Sequence, residues 1–273
     1  MIGALLRLEG HSVVRARWFA ASVALSIALV GFFLVVATRE SAVLGFTGFG
    51  KVMAGVVQVS LLMVPLLALA STAQAVTAAR QAGVLEWYMS QPVSRDACFR
   101  ALFLPRIAAL VLPIVGSIGG LAAAAAIMGQ PVELRLVGVF LAVLVGQALA
   151  FGAIGMWVSC ISRAPEQALL AAVAIWMATA VLVDFVLLGV MLRWDLPPMV
   201  VFVLAGLNPM QDGRVAVLAA VDPQMGVLGP VGTWAVATLG ATATLAITVG
   251  WPLVLAAGAS LLARWEFLRR DVL

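Results

Sequence analysis

Charge is what this chain has least of. Asp, Glu, Lys and Arg make up only 10% of its 273 residues, against 64% that are hydrophobic. Soluble domains average about 25% charged residues. A soluble core of this length could not hide so much apolar surface, which leaves lipid as the solvent. Cysteine is scarce too. Cys98 and Cys160 form no CxxC pair and fall at predicted inner span ends, where thiols stay reduced, so neither a disulfide nor a thiolate metal site is expected. His11 is the sole histidine, so one chain cannot supply a bis-histidine haem pair. Lys51 is the sole lysine, and the arginines stand apart at the ends of apolar runs. That is not the continuous basic patch with interleaved aromatics of a nucleic-acid binder. No HExxH, GxSxG, phosphate-binding loop or pair of intramembrane aspartates occurs, which removes the usual enzyme sites and any ATP site of the chain's own. The 11 Met residues form no MxM or MxxM cluster and serve as flexible apolar filler, not copper ligands.

What is present is a set of bilayer-sized gaps between charges. Residues 18–38, 52–79, 107–132, 136–162 and 223–263 carry no charge, and 167–192 carry only Asp184. A membrane-crossing helix needs roughly 20 mainly apolar residues. The expectation is an all-α polytopic membrane protein with six transmembrane helices, at about 18–37, 52–77, 103–128, 136–161, 168–192 and 234–263. No internal repeat, low-complexity tail or soluble domain interrupts it, so residues 1–273 read as one transmembrane domain. The first apolar run begins after Arg17, is full-length and lacks an AxA-like cleavage site, which marks a retained span and not a leader. Residues 1–17 before it suit an interfacial amphipathic helix, with Leu5, Leu6, Leu8, Val13 and Val14 toward lipid and Arg7, Arg15 and Arg17 toward phosphate.

The cations fix the expected orientation. With both chain ends inside, only Arg39, Lys51, Arg135, Arg193 and Arg214 fall outside, and the remaining arginines lie within. Cytoplasmic loops collect Lys and Arg. The chain is therefore expected as a multi-pass protein of a bacterial inner membrane with cytoplasmic termini. Small residues at Gly116–Gly120 and Ala122–Ala126 offer places for helices to pack closely.

Three groups of residues could carry function. The longest inner insertion is residues 80–100. Gly83 can open a short helix there, Val84, Leu85, Trp87, Tyr88 and Met89 give it an apolar stripe, and Pro92 ends it. Such a helix either docks in a soluble partner's groove or rests on lipid headgroups. Asp184 is the one ionisable residue deep in a span, where a carboxylate costs roughly 2.5–3.5 kcal/mol on insertion scales. It must face the bundle or a dimer seam, as a cargo- or gating-linked group or as a structural hydrogen-bond partner. The 193–232 segment is expected outside, with the stretch Pro198–Leu207 too short to cross and so re-entrant or interfacial. It ends at Asn208-Pro209, ordinary turn formers.

The pattern GVLE…PVSR at 83–95 resembles the stretch between the second and third spans of ABC-2 type exporter permeases. LGFT at 44–47, MVPLLAL at 63–69, Trp176 with Asp184 eight residues later, and Leu207-Asn208-Pro209 with Arg214 five after the proline keep the order and spacing seen in one branch. That branch is the permeases of the ABC transporter serving nitrous oxide reductase maturation. The likeness covers nearly the whole chain. It departs at Ala79–Ala82, where the family carries acidic residues and only Glu86 is left nearby, and at Leu102, where the family has Lys and Arg100 is the nearest cation.

The resemblance implies an ABC-2, type V exporter-like permease fold and a homodimer. Two copies of a cytoplasmic ABC ATPase would dock on Gly83, Leu85, Glu86, Trp87, Pro92 and Arg95. ATP and Mg would reside in that partner, with no cofactor or metal on this chain. The resemblance further implies a periplasmic β-helix accessory protein near Asn208, Pro209 and Arg214, and a sulfur- or copper-related cargo for periplasmic metallocentre assembly. Two alternatives stay open: an ABC-2 exporter of a drug, lipid or haem-related compound, and a stand-alone secondary transporter with Asp184 as proton relay.

Overall fold

The computed structural model describes residues 2–40, 49–129, 131–194, 196–222 and 224–269. The 44–47 motif, most of the 39–51 loop and Arg270 lie outside them. The described residues are helical and contain no strand. Five helical stretches are each long and apolar enough to cross a membrane: Ala54–Gln81, Arg95–Ile127, Leu134–Ile161, Pro165–Arg193 and Ala241–Arg269. A bent pair, Gly3–Val14 and Arg17–Phe32 at 61° to each other, brings the number to six if it is counted as one span.

In chain order these are α1 (Ile2–Val14), α2 (Arg17–Glu40), α3 (Phe49–Ala73) and α4 (Ala75–Gln81). Then come α5 (Val84–Met89), α6 (Arg95–Ile127) and α7 (Leu134–Ile161). The next span is α8 (Pro165–Met177), a π-helical turn (Ala178–Leu182) and α9 (Val183–Arg193). α10 (Pro198–Gly206), α11 (Pro209–Val221), α12 (Gly229–Leu239) and α13 (Ala241–Arg269) complete the chain.

α7 is the hub. Its Phe140, Leu144, Phe151 and Val158 lie in one buried cluster with Leu61 and Leu69 of α3, Ile114 and Ile118 of α6, and Met210 and Val217 of α11. α3 and α7 run nearly in contact at Gly155, where a Cβ would come within 2.2 Å of the Thr72 Oγ1 and 3.0 Å of the Leu69 carbonyl oxygen. Close approach between helices falls there and not at Gly116, Gly119 or Gly120, each of which would meet nothing within 4 Å. The 165–193 span is by contrast barely buried and presents Leu170, Phe185, Val186 and Leu192 outward.

Local chemistry sets the breaks. Between α3 and α4 the helix restarts at Gln74, which frees amide hydrogens. The buried Ser159 hydroxyl of α7 takes them up, accepting from the Val76 amide at 2.9 Å. Pro165 at the first helical position and Glu166 in the first turn start α8. Ser94 caps α6 by accepting from the Ala97 amide at 3.2 Å. α6 has 33 residues and, at 1.5 Å each, is about 50 Å long, so it projects well beyond a ~30 Å hydrocarbon layer.

Two boundaries differ from the sequence expectation. The third crossing helix starts at Arg95, two turns before residue 103, because Ser94 supplies a cap and Pro105 is accommodated within the helix. The last crossing helix starts at Ala241 and not at Trp234. Gly240, at φ 85°, separates it from α12, which carries Trp234 in a distinct small cluster with Phe202 and Met225.

Candidate functional site

Both described chain ends meet at one end of the bundle, called here the near end. α1, α4, α5, the start of α6 and the end of α13 share a second buried cluster, which includes Leu5, Val76, Leu85, Tyr88, Cys98, Phe99 and Phe267. α5 has only six residues, too few to be stable as an isolated helix. Gly83 opens it from the left-handed region at φ 69°. A side chain there would touch nothing, so the backbone alone demands glycine. Leu85 and Tyr88 are completely buried and anchor the helix. Glu86 and Trp87 point out on the other side, with Trp87 54% exposed. Pro92 is exposed just beyond. Arg95 donates to the Leu268 carbonyl of α13 at 3.4 Å, and beside it Asp96 pairs with Arg264 of α13 at 2.7 Å and with Arg100. The six residues expected to face an ATPase thus divide. Leu85 holds α5 down, Arg95 ties α6 to α13, and Glu86, Trp87 and Pro92 form the free surface. Leu102 is buried in the same cluster, whereas Arg100 is half-exposed on the rim.

Sequence reasoning missed the polar centre of this end. The Tyr88 hydroxyl donates to Glu9 Oε1 at 2.6 Å, and Arg106 of α6 pairs with Glu9 Oε2 at 3.3 Å. Glu9 is buried, and one short network therefore joins α1, α5 and α6. Burial, and next the bond to Glu9, push the Tyr88 hydroxyl above its ordinary range. α1 consequently does not lie with all its apolar residues toward lipid. Leu5 and Val13 are buried in protein, and only Leu8 and Val14 of that set are strongly exposed. The signal was available: Leu5, Glu9 and Val13 are spaced i, i+4, i+8 on one face.

At the far end α10 and α11 form a helical hairpin whose tip is Asn208-Pro209. The tip sits at half depth. The Asn208 Nδ2 donates to the Thr179 carbonyl, midway along the 165–193 span, at 2.7 Å. The Gln147 amide, midway along α7, donates to the Pro209 carbonyl. Non-helical backbone at membrane depth is tolerated only where protein buries and satisfies it. Asn208 does this, since its Oδ1 also accepts from the Met210 amide at 3.1 Å and caps α11. The π-helical turn that presents Thr179 is a feature often found at functional positions in helices.

Asp184 lies two residues beyond that turn, in the first turn of α9. Gln211 donates to one of its oxygens and Arg214 pairs with the other. Both partners lie on α11, so the intramembrane acid is neutralised across the helix pair. Asn208 and Pro209 are buried and offer no surface, and Arg214 is only partly exposed. α11 itself went unread, because Gln211, Asp212 and Arg214 made 208–222 look like an outer loop. Its Asp212 is 3% exposed and one carboxylate oxygen, Oδ2, has no partner.

A bundle of apolar helices of crossing length, with a short amphipathic helix propped on one end and a helical hairpin inserted at the other, is the architecture of a polytopic membrane protein. The chain belongs to the ABC-2 family of transporter proteins, whose defining pattern matches residues 4–272. Membership brings a membrane setting and an ABC ATPase as partner, and places the chain as a transmembrane subunit without an ATPase site of its own. No curated protein matches the chain.

Proposed function

We propose that this chain is the permease of an ATP-driven exporter of a bacterial inner membrane, with the near end in the cytoplasm. Two copies of a separate ABC ATPase dock on α5 and its flanks in a homodimeric assembly. The observation that carries the reading is α5 itself. Two fully buried side chains fasten it, while Glu86, Trp87 and Pro92 are presented outward. A load on that surface passes through Tyr88 and Glu9 to Arg106, and so into a crossing helix, without having to unfold anything. The barely buried 165–193 span, with Phe185 and Leu192 outward, supplies an apolar face for the second copy.

By the resemblance, the cargo serves copper- or sulfur-dependent metallocentre assembly in a periplasmic enzyme, with a β-helix protein docking on the outer surface of the far end and not on the buried Asn208-Pro209 tip. A second reading, export of a small drug-like, lipid or haem-related compound, is favoured by an apolar cavity beside α11. The stand-alone carrier reading loses support, because the pairing of Asp184 with Arg214 and Gln211 leaves it poorly suited as a free proton relay. Co-purification tests the proposal. The intact chain should bring down an ABC ATPase and stimulate its ATP hydrolysis, and Glu86→Arg should abolish both while leaving membrane insertion intact. Retention of both by Glu86→Arg would remove α5 as the docking element.

A further inference from the structure

A cavity of ≈ 310 Å³ lies between α9, α10, α11 and α12 at the far end, within one protomer. Its walls are apolar, including Leu188, Phe202, Val215, Leu228 and Val231. Leu188 and Met191, both about half exposed, line it on the side where the 165–193 span faces outward. Small-molecule sites run from about 300 to 1,000 Å³ and combine apolar walls with a few placed polar groups. Here the polar groups are two carboxylates with different fates. Asp184 borders the cavity, but both its oxygens are taken by Gln211 and Arg214. Asp212 also lines it, is almost wholly buried, and keeps Oδ2 without a partner.

A buried polar atom left unpaired is costly, and an unpaired carboxylate more so. No structural duty explains that orphaned oxygen. The bonds that build the hairpin tip come from Asn208, Gln147 and the Pro209 carbonyl, and those that neutralise Asp184 come from Gln211 and Arg214. An apolar slot with an under-satisfied carboxylate among its lining residues is complementary to a molecule with an apolar body and one cationic donor.

We propose that this cavity binds lipophilic amines, with the ammonium group on the Asp212 carboxylate and the hydrocarbon or aromatic body against Phe202, Val215 and Val231. The site deepens the second cargo reading and rests on it only for the direction of movement. Binding needs neither ATP nor a partner subunit, so its failure would leave the docking of an ATPase on α5 untouched.

The test uses the full chain in lipid nanodiscs, with empty nanodiscs subtracted, and monodansylcadaverine as the fluorescent amine. Its N-acetyl derivative keeps the body and loses the charge. The amine should bind saturably and at least about tenfold more tightly than the acetylated form, as expected of a hydrogen bond to a charged group. Asp212→Asn should erase that preference, and Val215→Trp, which fills the cavity, should weaken both probes. Equal binding of the two probes to the unaltered chain would show an apolar slot for lipid tails and overturn the proposal. So would the absence of saturable binding, or a preference that survives Asp212→Asn. Should Asp212→Asn fail to fold, the probe pair on the unaltered chain still decides.

Discussion

Tyr88 and Glu9, 79 residues apart in sequence, are joined by a 2.6 Å hydrogen bond that fastens the six-residue helix α5 to α1. Arg106 completes the network from α6. Replacing Tyr88 by Phe keeps the ring packing and removes only the donor. The variant should insert and fold with a loss of about 1–2 kcal/mol. Its stimulation of the partner ATPase should fall more than its stability does. Thermal unfolding in detergent, set beside ATP turnover of the reconstituted complex, separates the two effects.

Glu9→Leu leaves the largely enclosed Arg106 guanidinium without its carboxylate, and removing one partner of a fully buried pair costs about 3–5 kcal/mol, which is the upper bound here. Arg106→Leu should be similarly harmful. The double variant Glu9→Leu/Arg106→Leu should recover much of the loss. Unfolding temperatures across the cycle measure the coupling, and additive losses would mean that the two groups act independently.

The chain has a single tyrosine, so its ionisation can be followed by tyrosinate absorbance without ambiguity. Burial raises the folded-state value of Tyr88 above the unfolded one near 10. A group raised in this way contributes stability that is complete below the unfolded value and is lost as pH rises toward the folded one. Stability should therefore decline above about pH 10, and Tyr88→Phe should flatten that decline. An alkaline titration of the folded protein should show no tyrosinate until well above the free value.

Asp184→Leu strands Arg214, whereas Asp184→Asn retains a hydrogen-bonding partner for Gln211 and Arg214. The Asn variant should reach the membrane at near-normal yield and the Leu variant should not. Asp184→Leu/Arg214→Leu should restore part of the yield. Quantitative membrane immunoblots measure it.

Much of the bundle was legible, because charge spacing at bilayer length is a direct physical constraint. Gly83 and Pro92 bracketed α5, and the ten-residue run at 198–207 declared itself too short to cross. What escaped was long-range or cryptic. Nothing local to Tyr88 reveals Glu9 as its partner, and a single acid in a basic amphipathic helix looks solvated until its i±4 neighbours are seen to be buried. α11 was hidden because its polar residues satisfy groups inside the protein and not water. The break at Gly240 was missed because apolar composition runs unbroken through it.

The most direct test of α5 as the seat of the motor subunit is a photo-cross-linking amino acid placed at Trp87 in living cells. Trp87 is half exposed and its replacement should change stability by no more than about 0.5 kcal/mol. Ile127, 87% exposed at the opposite end of α6, is the control. An adduct with an ABC ATPase from position 87 and none from 127 is the expected result. Adducts to lipid alone at 87, or the ATPase appearing at 127, would contradict it.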